Sequence, residues 1–321
     1  MKRVLVSVGV AAVIAALLAM WLGGREPVLE DAFVRGHRVT VWNRVAQLRE
    51  PVATLSYGDR VGILERRESN VRIRAADGDT GWVSESYLVP LELWDRGTQL
   101  LTQTRPMPVQ GRGRTKVTSN IRIGPGRDEP RLFQFTRGVP VEVLARAVAD
   151  VPASPTSAED AAGAAPAARR EDWALVRATT DDSGEIAGWM VARFIEPDVP
   201  DMVGSLTTGL RFTAWFELGR VADPGSPDAS GRAHILILGS TGPEGQACDF
   251  TVMRVYTWSV KNRRYETSFV DSTLCGKLPV AVKVEASGAE FSFANTSRSG
   301  EEQRLYQMRQ TVVRRLRQPS R

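Results

Sequence analysis

Histidine and cysteine are the scarcest chemically reactive residues in this sequence of 321 residues. The only histidines are His37 and His234, and the only cysteines are Cys248 and Cys275. Zinc sites and Cys-His nucleophiles both require several such side chains at one place. The sequence offers almost nothing from which to build either, so we expect no metal site and no catalytic residues.

Recognisable ligand-binding loops are also missing. No glycine-rich phosphate loop follows a strand and opens a helix, and the acidic loop at 223–228 lacks the Asp-x-Asp-x-Asp-Gly spacing of a calcium loop. Asp249, Glu266 and Asp271 lie on predicted hairpins, where carboxylates are usually solvated. These absences predict that the protein has no cofactor and is not an enzyme.

The charge is modestly basic and spread along the chain. Lysine and arginine number 42 and aspartate and glutamate 37, which leaves a net charge of +5. A nucleic-acid binder usually gathers its basic residues in one stripe, so we expect no nucleic-acid partner. A polyanionic wall or a membrane surface suits dispersed positive charge better.

There is one long apolar run, at residues 4–24, and it follows Lys2 and Arg3. The run is long enough to span a membrane as a helix, and the basic residues before it keep the N-terminus in the cytoplasm. Residues 1–24 are thus predicted to be an inner-membrane anchor or a cleaved signal peptide, with a buried soluble helix as the third alternative. No cysteine follows the run, which excludes a lipoprotein anchor. The first two alternatives both predict an exported protein with periplasmic or extracellular domains.

Residues 37–90 alternate between short apolar runs and turn residues, which is typical of a small all-β barrel. Residues 115–197 repeat the same order of runs, and each copy ends on a Gly-Trp pair, at Trp82 and at Trp189. An internal repeat of this kind predicts two similar small domains in tandem. Residues 91–114, rich in Gly, Thr, Gln and Pro, are predicted to link them. The Ala- and Pro-rich segment 149–170 is predicted to be a mobile loop.

The second copy contains the motif Asn-Ile-Arg-Ile-Gly-Pro-Gly at 120–126 and Gly-Trp-Met-Val at 188–191. These residues resemble the bacterial SH3 (SH3b-like) domain family, whose pattern is Asn-hydrophobic-Arg-x-Gly-Pro near the start and Gly-Trp-Val near the end. The first copy lacks the Gly-Pro-Gly turn and resembles the family less closely. The resemblance implies two SH3-like β-barrels and covers nothing beyond residue 200.

Residues 201–321 are predicted to be a further β domain. Cys248 and Cys275 flank a predicted strand pair, whose antiparallel pairing brings them close, so we expect a disulfide between them in an oxidising compartment. From residue 300 onward Leu305, Met308, Val312 and Leu316 fall on one helical face, which predicts a terminal amphipathic helix. The predicted fold class is therefore mainly β, with an N-terminal membrane or signal helix and this C-terminal helix.

Candidate ligand-binding residues come from the two repeats. They are Arg122, Trp189, Phe194, Trp173, Tyr57, Trp82 and Tyr87. Aromatic rings beside polar groups can stack on sugars or peptide planes. The alternatives stay open: Trp82 and Trp189 would fill the core of so small a barrel, and Arg122 would brace the turn that follows it.

The SH3 resemblance implies binding in the cell envelope without catalysis, with peptidoglycan, through its stem peptide or glycan, as the first candidate ligand. A second hypothesis is a scaffold whose repeats dock a protein of an envelope complex. A third is an accessory or unrecognised cell-wall hydrolase. Retention on purified sacculi favours the first hypothesis, and capture of one membrane protein favours the second.

Overall fold

The computed structural model describes residues 26–152, 169–224, 231–298 and 300–316. The predicted N-terminal helix and most of the predicted mobile loop lie outside these residues. Within the described ranges, no helix is long and apolar enough to cross a membrane. The chain divides into two compact units, Met1–Glu92 and Leu93–Arg321, and each is described by itself.

The first unit is a single seven-stranded sheet in which neighbouring strands are antiparallel. Its strands are β1 (Glu30–Val34), β2 (Arg38–Trp42), β3 (Pro51–Ser56), β4 (Arg60–Arg67), β5 (Asn70–Arg74), β6 (Thr80–Ser84) and β7 (Leu88–Pro90). Their order in the sheet is β3-β2-β6-β5-β4-β1-β7. A 3-10 helix at Glu85–Tyr87 separates the last two strands. Strand β1 lies outside the predicted range 37–90 but pairs with both β4 and β7.

The second unit begins with a sheet of the same design. Its strands are β8 (Gly111–Thr115), β9 (Ser119–Arg122), β10 (Arg131–Phe135), β11 (Pro140–Asp150), β12 (Arg170–Thr180), β13 (Gly184–Val191) and β14 (Ile195–Pro197). They occur in the order β10-β9-β13-β12-β11-β8-β14. A 3-10 helix at Ala192–Phe194 again precedes the last strand. The repeat read from the sequence therefore extends to the topology.

The glycine of each Gly-Trp pair lies where two strands approach closely. A β-carbon on Gly81 would lie 2.7 Å from the carbonyl oxygen of Trp42, and one on Gly188 would lie 2.8 Å from that of Arg122. Neither approach leaves room for a side chain, so both positions require glycine. The match also makes Trp42 the structural counterpart of Arg122.

The prediction of a mainly β fold is confirmed, but the two predicted barrels are open sheets. In each sheet the strands at the two ends of the order have a neighbour on one side only. Alternation still decides which side chains are buried: in the first unit Val39 and Val41 of β2 and Val71 and Ile73 of β5 point into one apolar core.

The predicted linker 91–114 instead contains helix α1 (Leu91–Thr104). The less exposed residues are Leu93, Trp94, Gly97, Leu100, Leu101 and Thr104. Residues at this spacing lie on one face of a helix. The segment is rich in Gly, Thr and Gln, so its composition does not indicate a helix. Gly97 allows the helix to approach Leu132, whose side chain would contact a β-carbon there at 3.0 Å.

The rest of the second unit consists of a short helix and two four-stranded antiparallel sheets. The elements are α2 (Asp201–Leu206), β15 (Arg211–Val221), β16 (Arg232–Ser240), β17 (Val252–Ser259), β18 (Arg264–Asp271), β19 (Gly276–Glu285), β20 (Gly288–Ser297), β21 (Gly300–Arg309) and β22 (Val312–Leu316). Each sheet follows chain order. The two sheets share one core, to which the first contributes Leu236 and Met253 and the second Phe291 and Tyr306.

The predicted C-terminal helix is wrong, because residues 300–316 form strands β21 and β22. Tyr306 and Met308 are buried with a period of two, whereas Val312 of the supposed helical face is 53% exposed. Strand β21 pairs with β20 along its whole length, from Ser297↔Gly300 to Gly288↔Arg309. The open edge of β20 therefore outweighs the helical spacing of the sequence.

Candidate functional site

Three of the predicted binding residues meet in one groove of about 180 Å³ on the second sheet. Arg122 contributes from β9, Trp173 from β12 and Phe194 from the 3-10 helix before β14. Arg127, in the loop between β9 and β10, completes the polar side. We call this site the aromatic groove.

Arg122 both braces its loop and lines the groove. Its Nη1 donates a hydrogen bond to the carbonyl oxygen of Glu129 at 2.5 Å, which holds the loop between β9 and β10. The side chain is half-buried, and this burial, reinforced by the positive charge of Arg131, lowers the pKa of Arg122. The two roles considered for Arg122, ligand contact and support of the turn that follows it, are thus compatible.

Phe194 is the accessible aromatic side chain of the groove, and the almost fully buried Trp173 also borders it. Trp173 is 1% exposed, and its buried Nε1 has no hydrogen-bond partner among the described residues. Phe194 is half-buried, and the guanidinium carbon of Arg193 lies 5.1 Å from the centroid of its ring. This distance is within the range of a cation–π contact.

The other two tryptophans on the candidate list lie elsewhere. Trp189 pairs in register with Arg122 across β13 and β9, but it is half-buried and does not line the groove. Trp82 is 9% exposed and belongs to the buried residues of the first unit, with the guanidinium of Arg67 5.0 Å from its ring. Of the two, Trp82 is therefore the buried tryptophan, but it lies on the face opposite the apolar core to which its neighbour Val83 belongs.

Tyr57 and Tyr87 lie at the same end of strand β1. The N–H of Arg35 donates to the carbonyl oxygen of Tyr87 at 2.9 Å, and the N–H of Gly58 donates to that of Val34 at 2.8 Å. Tyr87 is 48% exposed, but Tyr57 is half-buried and its burial raises its pKa to about 12. Of the two, Tyr87 is the accessible aromatic side chain.

Sequence reasoning missed two buried carboxylates, Glu171 and Asp172, at the start of β12. Both are less than a tenth exposed. Glu171 accepts from Nε and Nη2 of Arg127 at 2.7 and 3.0 Å and from Nη1 of Arg193 at 2.9 Å. Burial raises the pKa of this carboxyl, but the hydrogen bonds from the two arginines outweigh burial, so the pKa of Glu171 is lowered overall.

Asp172 joins the second sheet to the C-terminal sheets. Its Oδ1 accepts from the N–H of Gly245 at 2.8 Å and from Nη2 of Arg146, and its Oδ2 accepts from Nη1 of Arg211. Three donors to one buried carboxylate offset part of the free-energy cost of burying it. Asp172 therefore fixes the loop at 244–249 against β12.

Arg146 of β11 occupies the centre of the same network. Its Nη1 donates to the carbonyl oxygen of Cys248 at 3.0 Å and to Oδ1 of Asp249 at 3.1 Å, and its Nη2 donates to the carbonyl oxygen of Gln246 at 3.1 Å. Asp249 is 3% exposed, so the prediction of a solvated hairpin carboxylate is wrong for this residue. Its burial follows from the guanidinium on the neighbouring sheet.

Cys248 and Cys275, the pair predicted from the sequence, are joined by a disulfide, with Cα atoms 4.7 Å apart. The bond ties the loop at 244–249 to the residue before strand β19, next to Arg146. In the described ranges, no group of three or more His, Cys, Asp or Glu side chains is arranged to hold a metal ion. A signal for the charge cluster existed in the acidic pair directly before the apolar run of β12, but the arginines that complete it come from distant strands.

No family model and no curated protein matches this chain. Solved structures do match, with probability 1.00. NlpC2 from Trichomonas vaginalis is 10% identical, covers 90% of this chain and 99% of its own, and has a TM-score of 0.18. An NlpC/P60 family protein from Bacillus cereus ATCC 10987 is 10% identical over 85% of this chain and 93% of its own, with a TM-score of 0.21. NlpC1 from Trichomonas vaginalis is 10% identical over 87% of this chain and 88% of its own, with a TM-score of 0.18.

These matches contradict the prediction that the chain is not an enzyme, because NlpC/P60 proteins are a family of cell-wall hydrolases. That prediction is withdrawn. The TM-scores are far below 0.5, so the matches carry no argument for a particular activity, fold or residue of this chain.

Proposed function

We propose that this is an exported protein of the cell envelope that binds peptidoglycan through the aromatic groove of its second sheet. In this proposal residues 4–24 hold the protein at the inner membrane, and both seven-stranded sheets are modules of the bacterial SH3 type. The observation that carries the proposal is the convergence of Arg122, Trp173 and Phe194 on one groove.

The chemistry of the groove supports a wall polymer as its ligand. Peptidoglycan offers sugar rings and peptide planes, which stack on aromatic rings, and carboxylates, which pair with arginine. The strand order shared by the two sheets and the 3-10 helix before each last strand support the module assignment. The net charge of +5 supports association with an anionic wall.

The test is retention of the purified full-length protein on isolated sacculi at low salt. We expect Phe194→Ala and Arg122→Gln each to reduce retention by about tenfold, because each removes one contact worth about 1–2 kcal/mol. Arg137→Ala is the matched control: Arg137 is an exposed arginine after β10 and does not line the groove. Circular dichroism checks that each variant is folded.

Failure of the parent protein to bind sacculi would overturn the proposal. If the same protein retains one partner from membrane extracts, the scaffold hypothesis takes its place. Equal retention of the parent and both groove variants would leave wall binding in place but remove the groove as its site. Release of soluble muropeptides from the same sacculi would reveal hydrolysis, which retention alone does not detect.

A further inference from the structure

A second and larger cavity, of about 300 Å³, lies between the second sheet and the C-terminal sheets. We call it the inter-sheet cavity. Its walls are largely apolar and include Val143, Ala174, Phe212 and Leu278. Trp173 borders both this cavity and the aromatic groove, but otherwise the residues of the two sites differ.

The residues that line the inter-sheet cavity include more basic than acidic side chains. The basic side chains that line it are Arg112, Lys116, Arg146, Arg193 and Arg211, and the acidic ones are Asp172 and Glu244. Both acids are already occupied: Asp172 accepts from Arg146, Arg211 and Gly245, and Glu244 accepts from Nη1 of Arg193 at 3.2 Å. The basic side chains are largely paired as well, because Arg146 also contacts Asp249 and Arg193 also contacts Glu171. Binding of a further group therefore depends on single donor atoms that remain without a partner.

Two residues that line the cavity each carry a buried donor without a partner among the described residues. One is Nη2 of Arg211 and the other is Nε1 of Trp173. The other two nitrogens of the Arg211 guanidinium have partners. Nη1 donates to Asp172, and Nε donates to the carbonyl oxygen of Gly242 at 3.4 Å. Burying an unsatisfied donor is costly, and charged donors cost the most, so two of them at one cavity indicate an acceptor that completes the site.

We propose that the inter-sheet cavity binds the carboxylate of a small, partly apolar organic acid, with a peptide carboxyl terminus as the best-fitting class. The guanidinium Nη2 of Arg211 donates to the carboxylate, and Nε1 of Trp173 is the second donor. The apolar walls hold the adjoining side chain. Known ligand pockets combine apolar walls and a few fixed polar groups in the same way, and their volumes begin at about 300 Å³. This site does not depend on wall binding by the aromatic groove.

The probe is a random tripeptide library with free carboxyl termini, and its control is the same library with amidated termini. Each is equilibrated with the full-length protein, and the bound peptides are quantified by mass spectrometry. We expect the free acids to be retained about tenfold or more over the amides, because only they offer a charged acceptor to Arg211. Equal retention of acids and amides, or no retention of either, would overturn the proposal.

Arg211→Gln should remove this preference and leave sacculus retention unchanged, since Arg211 does not line the aromatic groove. Its matched control is Arg220→Gln, on the same strand β15, because Arg220 pairs with Glu217 and does not line the cavity. Trp173→Phe keeps an aromatic ring but deletes the unpartnered donor, so it should weaken acid binding severalfold in a folded protein. Phe194→Ala should have the opposite pattern, with acid binding kept and sacculus retention reduced by about tenfold. An acid preference that survives Arg211→Gln would also overturn the proposal.

Discussion

Strands β5 and β12 occupy equivalent places in the two seven-stranded sheets, yet they are buried differently. In β5 only Val71 and Ile73 are buried, and the residues that alternate with them are half-buried. In β12 every residue from Glu171 to Val176 is buried. One face of each strand faces the core of its own sheet, so the difference lies on the opposite face.

The second unit covers that opposite face with other parts of its chain. Arg177 of β12 donates from Nη1 to the carbonyl oxygens of Thr104 and Arg105, at 3.0 and 3.3 Å, where helix α1 ends. The chain also contacts the other face near the start of the strand, where Asp172, which does not share a face with Arg177, accepts from the N–H of Gly245. The same topology therefore serves as a self-contained sheet in the first unit and as a support for further elements in the second.

The largest predicted effect comes from exchanging one outward residue between the two strands. Leu175 of β12 is 5% exposed and is the counterpart of Arg72 in β5. Leu175→Arg buries a charge without a partner and should reduce the free energy of unfolding of the second unit by about 3–5 kcal/mol. Arg72→Leu removes only partly exposed ion pairs with Glu26 and Glu65 and should change the stability of the first unit by less than about 1 kcal/mol. Urea denaturation of the two full-length variants measures both, and similar losses would refute the comparison.

The next effect concerns the loop that covers the start of β12. Replacing both Cys248 and Cys275 by serine opens a loop of 27 residues, which should cost about 3–4 kcal/mol on the chain-entropy model. We also expect faster hydrogen exchange at the amide of Gly245, because the loop then loses its only covalent link to strand β19 and keeps only non-covalent contacts, such as those with Arg146 and Asp172. The amide of Ile73 in β5 is the internal control and should be unaffected. Unchanged exchange at Gly245 would mean that the ion pairs alone hold the loop.

The smallest effect is a dependence of stability on pH that Glu171 should give to the second sheet. The pKa of Glu171 is lowered in the folded protein, so its contribution to stability is complete above the ordinary glutamate pKa and is lost as the pH falls through the folded value. Glu171→Gln should therefore be less stable than the parent at pH 7, and the difference in the free energy of unfolding between the two proteins should be smaller at pH 3. Exposed Glu196→Gln is the control, with almost no gap at either pH. Denaturant unfolding at both pH values measures this difference in the free energy of unfolding. A difference between Glu171→Gln and the parent that is the same at pH 7 and pH 3 would contradict a lowered pKa of Glu171.

Much of the candidate site could be predicted, because its aromatic residues stand in recognisable patterns. The motif at 120–126 pointed to Arg122, and the repeat pointed to Trp173 and Phe194. The charge cluster could not be predicted in the same way. Arg146, Asp172 and Asp249 come from β11, β12 and the loop before β17, and the sequence around Arg146 and Asp249 does not indicate that they meet.

The amino-acid sequence by itself determined what depends on near neighbours along the chain: alternating strands, glycines at close approaches, the repeat and a pair of cysteines on either side of a hairpin. Only the tertiary structure decided that residues 300–316 extend a sheet, that residues 91–104 form a helix, and that Asp172 and Asp249 are buried. The physical reason is the same in each case. A sheet edge, a covering helix or a distant guanidinium contributes more free energy than the local preference of a few residues, and these partners are brought together only by the fold.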